Sequence, residues 1–166
     1  LASTWRYIAE YYSNEPVIGG YDLLNEPARW GISDILRSIY ERTIDSIRTV
    51  DDDHIVIIEG NWYGNDHTGL FPPFDDNMIY SFHHYVGGST DTTTMYRQYR
   101  TDISVEYNVP LWVGEFGENS NYWGHNIKNF FERNDIGWSW WNIKSVERIS
   151  SFFSYDKTDE YQILID

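Results

Sequence analysis

Five short apolar runs, near residues 20, 56, 80, 112 and 138, alternate along this chain with stretches of helical periodicity. Strand followed by helix, repeated, calls for parallel pairing with right-handed crossovers, so the expected class is α/β with a parallel sheet. The first helix is expected over Thr4 to Tyr12, where Trp5, Ile8, Ala9 and Tyr12 share a face and Ser3 stands as N-cap. A strand over Val17 to Asn25 follows. Ile35, Leu36, Ile39, Tyr40, Ile44, Ile47 and Val50 then mark the strongest amphipathic helix, begun by Ser33 and stopped by Asp51-Asp52-Asp53. Ile55 to Ile58 is an unbroken β-branched run, the pattern of a strand covered on both faces, with Glu59 at its end. Residues 60 to 77 hold no helical period and read as an ordered, ligand-facing loop, because Trp62, Tyr63, Phe71 and Phe74 interrupt its polar residues. Met78 to Phe82 predicts a strand leading into His83-His84-Tyr85, and Gly87 to Asp91 a loop. Helices are expected over Thr92 to Tyr107 and Tyr122 to Asn134, with strands at Leu111 to Gly114 and Gly137 to Trp141. Beyond Lys144 the pattern weakens, and residues 150 to 166 read as a final helix or an irregular tail.

The strand ends carry the chemistry. In Gly20-Tyr-Asp-Leu-Leu-Asn-Glu-Pro27 the strand must stop by Glu26, since Pro27 has no N–H for a sheet ladder. A carboxylate is thus held at a strand terminus beside the amide of Asn25; the plainer alternative is a turn asparagine with a solvated glutamate. Pro110-Leu-Trp-Val-Gly-Glu-Phe-Gly117 repeats the arrangement with Glu115. In parallel α/β sheets the C-terminal strand ends share one rim, which is where such folds place their sites. No glycine-rich phosphate loop follows any strand, so nucleotide binding has no motif support.

Charge and composition narrow the partners. With 26 acidic against 12 basic residues, the chain disfavours nucleic acid. Eight Trp and fourteen Tyr exceed ordinary core needs and suit a surface that stacks on flat, partly apolar rings such as sugars, although some must belong to the core. No run reaches the roughly 20 apolar residues of a membrane helix. Any targeting signal is expected to have been removed or to lie outside these 166 residues. The absence of cysteine removes disulfides and thiolate metal sites. At this length one domain over residues 1–166 is expected, burying roughly 70% of its unfolded surface.

Two carboxylates facing one another across a pocket have a prominent use, in which one is protonated and acts as acid while the other is ionised and attacks or activates water. For a glycosidic bond the separation decides the outcome: about 5 Å gives a covalent intermediate, and roughly 6.5 to 9.5 Å leaves room for water. The rival use is a divalent metal held by His83 or His84 with Glu26, Glu59 and Glu115. Adjacent strand histidines point to opposite faces, so only one can join the pocket, and no metal or other cofactor is expected.

The ordered set Asn25-Glu26-Pro27, His83-x-Tyr85, Gly114-Glu115-Phe116-Gly117 and a closing Trp141 resembles glycoside hydrolase family 5, over nearly the whole chain up to about residue 145. The resemblance implies the last five βα units (strands 4 to 8) of a (β/α)8 TIM barrel and a retaining, extracellular β-glycanase of cellulase type. Glu26 would be the acid/base and Glu115 the nucleophile. Asn25 would bind the sugar 2-hydroxyl, so the chain must turn or bulge between Asn25 and Glu26 for both to serve. His83 and Tyr85 would share one face, with Tyr85 steering Glu115 and His83 meeting sugar or a carboxylate. Trp141 would floor the subsite and Trp62 would stack at its side, whereas Trp138 and Trp140 suit the core better. Glu59, Glu118 and Asn119 read equally well as supporting, solvated or capping residues. A barrel of this type needs roughly 250 residues and eight strands. Five strands leave two parallel edges open, so a homodimer, or association with the missing barrel portion, is expected. The alternative function is a carbohydrate-binding half-barrel without turnover.

Overall fold

The computed structural model describes residues 1–85, 102–147, 151 and 153–156. Helix α1 spans Ala2–Tyr12, strand β1 Gly20–Asp22, helix α2 Ser33–Arg48 and strand β2 Ile55–Glu59; the short turn α3, Asn61–Gly64, is left-handed at Trp62 and Tyr63. Strand β3 (Met78–His84), strand β4 (Leu111–Gly117), helix α4 (Asn121–Arg133) and strand β5 (Gly137–Trp141) complete the main body. The five strands pair in sequence order, and every pair is parallel. This is the expected partial barrel: strand, crossover, strand, always advancing in one direction. Among the described residues, β1 and β5 each have a partner on one side only.

Burial explains why the sheet holds together without closing. Val56, Ile58, Tyr80, Phe82, Val113 and Phe116 are fully buried against the helices, which present Leu36, Tyr40, Ile44 and Ile47 from α2 and Trp123, Ile127 and Phe131 from α4. Phe116 is central: its ring meets Trp123, Phe131, Trp138 and Trp140 at centroid distances of 5.0–6.2 Å. Emptying that position would cost about 3–5 kcal/mol. The alternate residues Ile55, Ile57, Ile79 and Trp112 are only half-buried. The Ile55 to Ile58 run is therefore covered on one face, not two, because the barrel's far wall is not part of this sheet.

Other boundaries differ from the sequence reading for local reasons. Helix α1 begins two residues early, with Trp5 N–H donating to the Leu1 carbonyl at 3.0 Å, so Ser3 lies inside it and caps nothing. Ser33 likewise opens α2 as a helical residue while Ile32 is the cap. The first strand is short: Val17 is 86% exposed, and ladder pairing starts only at Gly20. Strand β3 runs on through His84, and β4 through Gly117, so His83, His84 and Glu115 stand within strands and not just past them. Ser120 is the true cap of α4, accepting from Trp123 N–H at 3.3 Å. The expected loop at 87–91, and residues 92–101 of the expected helix, lie outside the described residues; residues 102 to 107 form a helical turn. After β5, Lys144–Val146 (β6) pairs in parallel with Phe153–Tyr155 (β7), so part of the tail is strand, neither helix nor irregular; residues 157–166 are outside the description.

Candidate active site

At the end of β1 the chain turns sharply. Leu23 N–H still donates to Ile57 O at 3.1 Å, but Glu26 adopts a left-handed backbone with φ 47°. A non-glycine residue held there is strained and persists only when its surroundings fix it. They do: the Glu26 N–H donates to Glu59 Oε2 at 2.7 Å. This kink meets the requirement that a strand cannot send Asn25 and Glu26 to one side. Asn25 is exposed at the rim, and Glu26 leans inward, half-buried.

Two register shifts bring the opposite wall to it, one between Phe82 and His83, the other between Val113 and Phe116. Bulges of this kind re-aim side chains beside functional sites. His83 Nδ1 then lies 2.7 Å from Glu26 Oε1 and 3.6 Å from Glu115 Oε2. The Tyr85 hydroxyl donates to Glu115 Oε2 at 2.6 Å. Ligand atoms of Glu26, His83 and Glu115 all fall within 4.8 Å of one another. His84, on the other face, stacks against Trp123 at 5.6 Å and takes no part. Gly114 makes room for His83: a Cβ there would sit 2.8 Å from Ser81 Oγ and 3.0 Å from His83 Nε2.

The electrostatics follow from this crowding. His83 is buried, which alone would disfavour its charge, but Glu59 and Glu26 at its two nitrogens and the Glu115 charge overcome that and push it up to about 9. It is an imidazolium at neutral pH. Glu26, His83 and Glu115 are donor types that could hold a divalent ion, which would have to displace the proton that the carboxylates favour on the ring. Burial, then the Glu115 hydrogen bond and charge, raise the Tyr85 phenol, keeping it a donor. Asp22 is pushed up to about 7 by burial of its carboxyl and by Glu59 and Glu115, with His83 opposing; the residue as a whole is exposed on the open side, so solvent discounts that shift.

The structure thus brings Glu26, Glu115, His83 and Tyr85 into one cluster and leaves Asn25, Trp62 and Trp141 around its rim. Trp141 is 47% exposed at the tip of β5, whereas Trp138 and Trp140 pack on Phe116, as their positions suggested. Trp62 stands edge-on to the exposed Trp30 at 4.8 Å. Its loop is tied to the Glu26 turn by Tyr63 N–H donating to Pro27 O at 3.3 Å. Asn119 caps locally, accepting from Ser120 N–H at 2.6 Å, and Glu118 is exposed. Glu59 is neither solvated nor a cap: it is wholly buried beneath the cluster. Its position at the end of a β-branched strand was the available signal. Asp22, two residues along the strand from Leu24, was missed because period-2 alternation alone says nothing about which face looks into the site.

Chemically, the arrangement offers two carboxylates on one cleft, 28% and 19% exposed at their side chains, steered by one imidazolium and one phenol. Residues 1–147 match the family model for cellulase, glycosyl hydrolase family 5. Endoglucanase 3 of Fibrobacter succinogenes is 32% identical over 158 residues, covering 80% of this chain and 22% of that protein. An endoglucanase of Paenibacillus polymyxa is 24% identical over 182 residues, covering 85% and 46% respectively. The chain therefore spans less than half the length of these relatives. Among solved structures, the endoglucanase Cel5A of Thermotoga maritima superposes with a TM-score of 0.71 at 20% identity, over 84% of this chain and 57% of that one. The cellulose synthase subunit Z of Clostridioides difficile gives 0.74 at 20% identity, over 84% and 58%. A five-stranded parallel wall with this rim, matched along 147 residues by one family model, belongs to glycosyl hydrolase family 5.

Proposed function

We propose that the chain carries the cleavage site of a retaining endo-β-glycanase acting on β-1,4-glucan. The observation that carries this reading is the approach of the Glu26 and Glu115 carboxylates, with ligand oxygens within 4.8 Å. An approach of that kind favours a carboxylate attacking the anomeric carbon directly over one that works through an intervening water. Glu115 forms the bond to the anomeric carbon while Glu26 delivers its proton to the departing glycosidic oxygen. Glu26 then takes a proton from water, whose oxygen displaces Glu115 from the sugar and restores both carboxyls. Tyr85 holds one Glu115 oxygen, which leaves the other to attack. His83 lies against Glu26 and balances the negative charge shared by the pair. Asn25 reaches the 2-hydroxyl, the exposed Trp141 face floors the sugar, and Trp62 stacks beside it. The choice of β-1,4-glucan rests on the endoglucanase relatives. A polymer of that kind is met outside the cell, so we place the activity there.

A second reading is favoured by one observation: among the described residues β1 and β5 each pair on one side only, in a chain that spans 22% to 46% of its endoglucanase relatives. A half-barrel of this kind can bind glucan while lacking the support that positions its carboxylates to about half an ångström. In either reading the open edges pair, with the remaining barrel portion or with a second copy; a strictly monomeric species in light scattering contradicts that. Release of reducing sugar across a panel of β-glucans tests the enzyme. Glu26→Ala should retain turnover on substrates with good leaving groups and be accelerated by azide. Binding in affinity electrophoresis without hydrolysis would establish the second reading instead.

A further inference from the structure

Glu59 is the most deeply buried acid in the described structure, at 0% exposure, yet the hydrolytic steps above make no use of it. An acid so placed is retained only against a large desolvation penalty unless charge and hydrogen bonds answer it. Its two oxygens have separate tasks. Oε2 accepts the main-chain N–H of Glu26 at 2.7 Å, the residue whose backbone is left-handed. Oε1 lies 3.2 Å from His83 Nε2, an ion pair without hydrogen-bond geometry, while the other ring nitrogen faces Glu26. Its main-chain carbonyl accepts the buried Tyr40 hydroxyl at 2.9 Å, which fixes the strand end from the helix side.

The surroundings are cut to admit this pair. A Cβ at Gly64, whose φ is 79°, would stand 3.3 Å from Glu59 Oε2 and 3.2 Å from the His83 nitrogen of the main chain. Gly114 closes on His83 Nε2 from the other side, as described above. Two glycines thus flank one buried acid and one buried histidine. Neither is explained by the substrate cleft itself, because both lie on its inner wall.

We propose that Glu59 is a positioning residue for the Glu26–Glu115 pair: it pins the strained main chain of Glu26 and orients the His83 ring so that its far nitrogen faces both cleft carboxylates. The role rests on the hydrolytic reading of that pair, but its physical content does not. His83 meets Asp22 from β1, Glu26 from the turn, Glu59 from β2, and Glu115 from β4, whose Oε2 also takes the Tyr85 hydroxyl. Of the three glutamates, Glu59 lies at Nε2 and the other two at Nδ1.

The test is a histidine-labelled NMR titration of the full chain without substrate, resolving His83 from His54, His67, His84 and His125. The native His83 midpoint is expected near 9. Glu59→Gln, equal in shape but uncharged, should lower it by about one unit or more, a tenfold or greater loss of proton affinity. Tyr40→Phe breaks a bond to the same residue's main chain, and should lower Tm without moving the midpoint, which separates orientation of His83 from mere support. An unmoved midpoint in folded Glu59→Gln overturns the proposal. Should that variant not fold, the triple change Asp22→Asn/Glu26→Gln/Glu115→Gln leaves Glu59 as the one carboxylate of these four still acting on the ring. A midpoint still above the ordinary histidine value then supports the proposal, and one at or below it overturns it. Failure of the chain to hydrolyse glucan would end the proposed reaction and leave this titration readable.

Discussion

The two ends of the sheet each hold a histidine among carboxylates, and they are built on opposite principles. At the N-terminal ends, Asp51 accepts from the Tyr21 hydroxyl at 2.6 Å, faces His54 Nδ1 at 2.7 Å, and takes the main-chain N–H groups of Asp53 and His54, each at 3.0 Å. His54 Nε2 reaches the Glu15 carbonyl at 3.1 Å, and Arg48 grips Asp75 through two nitrogens while bonding the carbonyls of Asp51 and His54. There one carboxylate answers many donors. At the C-terminal ends one imidazolium and one phenol answer Glu26, Glu59 and Glu115, with Asp22 close by. The backbone differs in the same sense. Left-handed residues near the strand starts are Asn108 and Asp135, types that tolerate it, whereas near the strand ends they are Glu26, Trp62, Tyr63 and Glu118. A satisfied cluster stabilises; an over-charged, strained one is held ready for something that is not protein.

That contrast breaks most sharply at Glu115. Glu115→Gln should lower kcat by about 10^4-fold or more, while Tm is unchanged or higher because a crowded negative charge has gone. Kinetics beside a melting curve would show it, and a drop in Tm proportional to the loss of rate would place Glu115 among structural residues. Asp51→Asn should do the reverse. Turning one of its two oxygens into an amide N–H2 that faces other donors, and removing the charge, should cost about 3 kcal/mol, or roughly 6–12 °C in Tm, with hydrolysis per folded molecule unaltered.

Acidity separates the ends again. Burial alone would raise Asp51, but the bonds from Tyr21, His54 and Asp53 outweigh it and hold it below the usual carboxylate value. Its stabilisation is therefore present above the unfolded value of 3.8 and is lost as pH falls through the lowered one. His83 runs the other way: raised from 6.5 to about 9, it contributes fully below pH 6.5 and loses its contribution as pH climbs through 9. Melting curves across pH should show an acid limb that shrinks in Asp51→Asn, the remainder coming from Asp75, which Arg48 also holds low, and an alkaline limb that shrinks in Glu59→Gln; an alkaline limb unchanged in that variant would mean that His83 does not draw its charge from the strand end. The smallest effect belongs to Asp22. Its carboxyl, raised from 3.8 to about 7, costs nothing below pH 3.8 and weighs increasingly against the folded state as pH climbs to 7, so Asp22→Asn should raise stability at pH 8, less at pH 5 and not at pH 3. Exposure on the open side limits the gain to within about 1 kcal/mol.

Much of the rim was legible before any coordinates. A carboxylate at 26, in a turn before Pro27, was foreseen, although β1 ends at Asp22 and does not run on to Asn25; the spacing of His83 and Tyr85 puts both on one face, and the conflict between Asn25 and Glu26 required the turn that φ 47° supplies. The three closing tryptophans sorted correctly into two that pack on Phe116 and one that stands in solvent. What stayed hidden depends on contacts distant in sequence. Glu59 and Glu26 lie 33 residues apart, and nothing local tells a strand-end acid that is buried under a histidine from one that faces water. The Tyr21–Asp51–His54 latch was hidden too, since Asp51 looks like the first residue of a helix-stopping acidic run. The half-buried Ile55 and Ile57 misled in the other direction: their pattern belongs to a closed barrel, and this sheet is open.

The central claim is that Glu115 bonds to sugar while Glu26 manages the proton. Incubation with a 2-fluoro cellobioside bearing a good leaving group, followed by intact mass and peptide mapping, tests it most directly. A single added glycosyl unit on Glu115, absent from Glu115→Gln, is the predicted result. Hydrolysis of the glycoside with no adduct, or an adduct on Glu26 or Glu59, would contradict it.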